Sequence, residues 1–161
     1  MRESEKFSCG LMSGGFNIDD CLGFIANRLV RVFQKAVDKR VQDMGLTTAQ
    51  FCVLVRLYEQ EGITQTELAQ RLFIETPTLV RTLDKMESTG LIERRRDPKD
   101  RRAYHLYLRP KGLELKEFVE KVGQEVHEIA TQGLTAEEFD LLKQALYKIW
   151  TNLGEDLEPG K

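Results

Sequence analysis

The chain has 161 residues, 41% of them hydrophobic and 31% charged, and carries a formal net charge of −2. This is one domain's worth of chain with enough apolar mass for a core, and it argues against wholesale disorder, a disulfide scaffold or a membrane-embedded protein. Charge is spread unevenly: from Arg71 to Arg102 bases outnumber acids by nine to six, and from Pro110 onward acids outnumber bases by eleven to six.

Residues 1–16 hold Gly10, Ser13, Gly14 and Gly15 and no continuous apolar run, so they read as a flexible tail and not as a leader or anchor. Cys9, Cys21 and Cys52 are far apart and form no C-x-x-C pair, which fits a reducing, cytoplasmic setting. From Ile18 to Met44 apolar residues recur every three or four positions, including Leu22, Ile25, Leu29, Phe33, Val37 and Val41. That is one face of a long helix, capped by Asn17 and ended by Gly45. So long a helix exceeds what a small domain covers, and part of its face is free to meet a second subunit.

Three later helix starts share one device, in which a Thr and the Gln or Glu three residues on satisfy each other's orphan amides: Thr47 with Gln50, Thr64 with Glu67, and Thr135 with Glu138. They predict helices over 48–60, 65–72 and 136–153. Another helix fits between Phe73 and Gly90, with Thr76 as cap and Pro77 at its first position, where a missing N–H costs nothing. Leu79, Leu83 and Met86 form its apolar face, leaving Thr78, Arg81, Thr82 and Lys85 outward. Two short strands follow, 91–95 and 104–108, joined by a charged connection with Asp97-Pro98, and then a helical stretch over 110–132.

A short helix, a turn around residues 73–75, a second helix and a basic hairpin are the parts of a winged helix-turn-helix. A helix matches the major groove of duplex DNA, and a basic hairpin reaches the minor groove or the phosphates beside it. The fold class expected is therefore mainly α with a small β-hairpin wing. Residues 47–109 form the winged region, and residues 17–46 and 110–161 a helical dimerisation body.

The run Asp97-Pro98-Lys99-Asp100-Arg101-Arg102-Ala103, followed by Leu106, Leu108 and Gly112, resembles the wing signature of the MarR family. The stretch from Pro77 to Glu87 with Gly90-Leu91-Ile92 looks like its SlyA-like branch. The resemblance implies a transcriptional regulator that binds a pseudo-palindromic operator as a homodimer. In it, Arg81 reads a base edge, a contact worth about 1–3 kcal/mol of discrimination when bidentate to guanine. Pro77, Thr78 and Thr82 sit against the backbone or thymine methyls, and Thr76 and Lys85 belong to the same DNA-binding set. Arg101 and Arg102 enter the minor groove or hold phosphate, oriented by Asp100, while Arg94, Arg95, Arg96 and Lys99 add salt-sensitive attraction. Where the family has a Thr capping the helix after the wing, this chain has Arg109, so that cap, typically worth about 1 kcal/mol, is missing.

The resemblance also implies a small phenolic or aromatic effector bound between dimer body and winged region. Cys21 raises thiol sensing as an alternative, but the family's sensing cysteine aligns with Gly23, and two residues turn a helix by roughly 200°. Cys52 reads as core, and His105 and His127 as ordinary surface or interface residues, with no zinc spacing. No metal or cofactor is expected. Phosphate-loop, dinucleotide and nucleophile-elbow motifs are missing, which argues against an enzyme. A winged protein-interaction module without specific DNA binding is the remaining alternative.

Overall fold

The computed structural model describes residues 21–100 and 103–157. The predicted tail, the Asn17 cap, Arg101 and Arg102 lie outside them. Helix α1 runs Leu22–Val41, begins with Cys21 in extended backbone without a side-chain cap, and passes through a short 3-10 turn at Gln42–Met44. Gly45, at φ 68°, then reverses the chain as expected.

Helix α2 spans Thr48–Glu59 and α3 spans Gln65–Leu72, each opened by its expected reciprocal Thr cap. Gln50 is buried in this role: its Oε1 accepts from the Thr47 amide at 3.0 Å. The start of α2 has a second acceptor that the local pattern does not announce. Asp38 of α1 accepts from the Thr48 amide at 2.9 Å and from its hydroxyl at 2.6 Å, tying the two helices together.

Helix α4 covers Thr76–Ser88, with Glu75 rather than Thr76 at the cap position and no side-chain cap bond. Pro77 is accordingly the second helical residue, not the first. Strands β1, Ile92–Arg96, and β2, Tyr104–Leu108, pair antiparallel with Ile92 opposite Leu108 and Arg96 opposite Tyr104. β1 starts one residue later than predicted because Leu91 is used otherwise: its N–H closes on the Met86 carbonyl and its own carbonyl accepts from Arg109.

The stretch predicted as one helix over 110–132 is two, α5 at Pro110–Glu114 and α6 at Lys116–Thr131. The reason lies at Gly112. In an unbroken helix its carbonyl would accept from Lys116, but here it accepts from the Tyr58 hydroxyl at 2.6 Å. A Cβ on Gly112 would collide with the Leu91 carbonyl oxygen, so only glycine lets α5 lie this close to the strand entry. Arg109, extended and without a cap bond, opens α5 as expected. Helix α7, Ala136–Leu157, starts on the Thr135 and Glu138 box and runs four residues past its predicted end.

The described residues form two compact units, one ending at Gly123 and the other beginning at Gln124. In the first, Leu54, Leu57, Leu68, Leu79, Leu83, Ile92 and Leu106 are fully or almost fully buried. Each such side chain contributes about 1.5–3 kcal/mol. They join α2, α3, α4 and the hairpin into one winged helix-turn-helix. In the second unit, His127 meets Phe139 edge to face at 5.4 Å.

The stripe on α1 divides. Val37 and Val41 are buried, while Leu22, Ile25, Leu29 and Phe33 stay 39–52% exposed, with Phe24, Val30 and Val32 also uncovered. On α7, Leu141, Leu142, Leu146, Tyr147, Trp150 and Leu153 are likewise exposed. Leu113 and Ile129 are exposed too, and Cys52, expected in the core, is only half-buried.

Candidate nucleic-acid interface

The outward face of α4 is fixed by what its inward face buries. Leu79, Leu83 and Met86 are fully buried, and helical spacing then leaves Thr76, Pro77, Thr78, Arg81 and Lys85 exposed. Thr82 is half-buried, its hydroxyl 3.5 Å from the Thr78 carbonyl. The helix is aimed by a sharp turn. Phe73 ends α3 in the left-handed region at φ 52°, and the Ile74 amide donates back to the Ala69 carbonyl at 3.1 Å, closing the last turn of α3.

Gly90, at φ 75°, turns the chain from α4 into the hairpin. Arg94, expected to attract phosphate, is occupied otherwise. Its guanidinium bonds the Glu87 carboxylate at 2.6 Å and 3.0 Å and Asp84 at 2.6 Å, and both acids belong to α4. This contact holds the Glu87 carboxyl below the usual range and raises Arg94, chiefly through their mutual hydrogen bond. Arg94 is therefore a strut between wing and helix, its charge already neutralised.

Arg95 is exposed but lies over the Tyr107 ring at 4.1 Å and pairs with Glu93. Arg96 is exposed with its guanidinium 5.9 Å from the Tyr104 ring centre, and Lys99 is exposed at the turn. Asp100 contributes its backbone: its N–H donates to Asp97 and its carbonyl accepts from Ala103 at 3.0 Å.

To sequence reasoning Asp97 is one letter of a signature and His105 an ordinary surface residue. The structure makes them the centre of the wing turn. One carboxylate oxygen of Asp97 accepts from the Lys99 and Asp100 amides at 2.6 Å and 2.8 Å. The other lies 2.7 Å from His105 Nε2, while His105 Nδ1 is 2.6 Å from the Gly62 carbonyl oxygen. The signal available in the sequence is the Asp-Pro turn, whose side chain commonly accepts amides two and three residues on. The His105 partner in the loop before α3 is distant in sequence.

The family model for the MarR family matches residues 46–104, from just before α2 into β2. An uncharacterized HTH-type transcriptional regulator of Bacillus subtilis, YybA, is 28% identical over 130 residues, 81% of this chain and 87% of its own length. A cysteine-to-serine mutant of MarR from E. coli, solved in complex with operator DNA, is 30% identical at TM-score 0.73, covering 80% of this chain and 92% of that one. The chain belongs to the MarR family.

A MarR family regulator from Listeria monocytogenes, solved with a 26mer DNA, is 25% identical and superposes at TM-score 0.79 over 84% of this chain and 91% of its own. This MarR-family chain is thus a MarR-type transcriptional regulator and not an enzyme. Within the MarR fold, the Arg94 strut ties the hairpin to α4, whose outer face stays exposed.

Proposed function

We propose that this MarR-type regulator binds a pseudo-palindromic duplex operator as a homodimer, with α4 in the major groove and the hairpin beside it. The observation that carries this reading is the Arg94 strut, because it fixes the exposed Arg81 face of α4 relative to the wing, as simultaneous contact with two grooves requires. Arg81 is the base-reading residue, and Thr76, Pro77, Thr78, Thr82 and Lys85 flank it against backbone. Arg96, Lys99, Arg101 and Arg102 supply phosphate or minor-groove contacts. Arg94 and Arg95 are reassigned to holding the hairpin in shape.

Dimerisation is supported by the uncovered apolar residues on α1 and, separately, on α7, since a soluble chain rarely leaves so many large apolar side chains exposed without a partner. Residues 17–46 and 110–161 are the dimer body in this reading. Regulation by a small aromatic or phenolic effector is supported by a hollow of about 250 Å³ under α4, where Gln34, Thr48 and Cys52 face Ile74, Leu79 and Thr82. A body filling that space would press on the recognition helix. Among the described residues no helix is long and apolar enough to cross a membrane.

The decisive experiment is fluorescence anisotropy of the purified protein on a duplex selected from a random-sequence pool, beside unrelated DNA of equal length, across a salt series. Selectivity of roughly a thousandfold with a steep salt slope is expected. Equal weak binding to both would leave the winged fold as a protein-interaction module.

A further inference from the structure

The one histidine in the winged unit stands where the hairpin meets the helix-turn-helix. His105 is half-buried on β2, opposite Arg95, and forms a bridge with Thr64 at the start of α3. Both of its ring nitrogens face oxygens that can only accept. The Gly62 carbonyl has no proton to give, and Asp97 is an anion: its carboxyl is pushed down to about 2, first by the bond to His105 and then by the Asp100 and Lys99 amides. A neutral imidazole carries one N–H and can satisfy one of these partners, leaving its lone pair facing the other. Only the imidazolium satisfies both.

The two partners belong to different parts of the site. Asp97 organises the turn that carries Lys99 and Asp100, whereas Gly62 sits in the loop leading into α3. We propose that protonated His105 is a positioning residue for DNA binding: by bonding Asp97 with one N–H and Gly62 with the other, it fixes the wing to the helix-turn-helix and links operator affinity to its proton. This rests on the DNA-binding reading above.

The charges around His105 favour the cation. Asp97 faces it from the turn, and Glu67, held to the Thr64 amide and hydroxyl, faces it from α3. Glu61, in the loop before α3, is engaged by the Leu108 amide at 2.6 Å. Arg95, the cation across the strand pair, is paired with Glu93 and stacked on Tyr107. The histidine is accordingly raised above its ordinary value, by Asp97 first and the Gly62 carbonyl second. A raised group gives its full contribution below the ordinary value near 6.5 and loses it as pH rises through the raised one. The wing is therefore held below that ordinary value and released as pH climbs through the raised one.

The test uses the full chain and a duplex selected by the wild-type protein at pH 6 from a random-sequence pool. Affinity is followed by anisotropy from about pH 6 to 9 at constant ionic strength, alongside the His105 and His127 C2–H NMR resonances. Wild type and His127→Gln are expected to lose affinity by about fivefold over this range, with a midpoint that follows the His105 resonance. His105→Gln is expected to bind weakly throughout with a flat profile. Asp97→Asn, which keeps an acceptor for the turn amides, is expected to move the midpoint to lower pH. Identical profiles for wild type and His105→Gln would overturn the proposal, as would a His105 resonance that titrates without moving the Lys99 and Asp100 amides. If no duplex is bound at any pH, the DNA reading falls on its own, and those amide shifts still decide whether the latch exists.

Discussion

Phe73 and Gly112 show how differently a single backbone position can be read. Phe73 holds a left-handed conformation at φ 52° that costs an L-residue about 1–2 kcal/mol, and the residue is 68% exposed, so burial returns little of that cost. Phe73→Gly is expected to raise stability by about 1 kcal/mol in urea melts, whereas Phe73→Ala, which keeps the Cβ, should bring no comparable gain. Equal effects from the two would show that the turn is unstrained. Gly112 is the reverse case: a methyl there meets the Leu91 carbonyl oxygen, which the Arg109 amide already holds at 3.0 Å. Gly112→Ala is expected to cost about 1–3 kcal/mol and to lower the melting temperature without altering the DNA-facing side chains. In the sequence Gly112 is visible only as part of a family pattern, because the atom that forbids a side chain comes from a strand entry far up the chain. The Thr caps, by contrast, are legible because both partners lie within four residues.

At the scale of elements the same distinction holds. Helices α2 and α3, with local start and stop signals, fall within one residue of their predicted bounds, whereas α1, predicted from Ile18 to Met44, is among the described residues an α-helix only over Leu22–Val41. The division of α5 from α6 is not legible, since it depends on the Tyr58 hydroxyl taking a carbonyl that a helix would use. The candidate interface is legible as a set of residue types and not as a division of labour. The basic run of β1 reads as three equivalent cations, yet the pleat sends Arg94 back to Glu87 and Asp84 of α4 while Arg95 lies on Tyr107. That difference predicts two kinds of variant. Arg96→Ala is expected to weaken binding to all duplexes and to lower the salt slope by about one, whereas Arg81→Ala, on the base-reading face, should cost about 1–3 kcal/mol and relax specificity. Arg94→Ala should weaken binding to all duplexes with the slope unchanged, because it removes a strut and leaves every phosphate neutralised as before. A reduced slope for Arg94→Ala in the anisotropy salt series would return it to the phosphate-binding set.

For the whole molecule, the question is what covers the apolar side chains that each compact unit leaves outside. Leu29 and Phe33 on α1 are 52% and 43% exposed, and Trp150 on α7 is 50% exposed beside Tyr147, with which it stacks at 6.1 Å. A winged unit alone has its core complete without them, and they are the surface that the proposed second copy of the chain would cover. The acid-rich stretch after Pro110 suits that role, because a dimer body of like charge to phosphate keeps the basic hairpins as the attractive surface. The double variant Leu29→Asp, Phe33→Asp places two carboxylates on the proposed seam without touching the buried Val37 and Val41. Sedimentation velocity is expected to show wild type as a dimer at micromolar concentration and the variant as a monomer with unchanged helix content. Trp150, the single tryptophan, would report the same event if α7 is part of the seam, with emission moving to longer wavelength as the partner leaves. Operator affinity should then fall towards that of one half-site, because two recognition helices no longer bind as one ligand. A variant that stays dimeric would place the seam elsewhere than α1, and a monomeric variant with undiminished operator affinity would break the link between dimerisation and recognition.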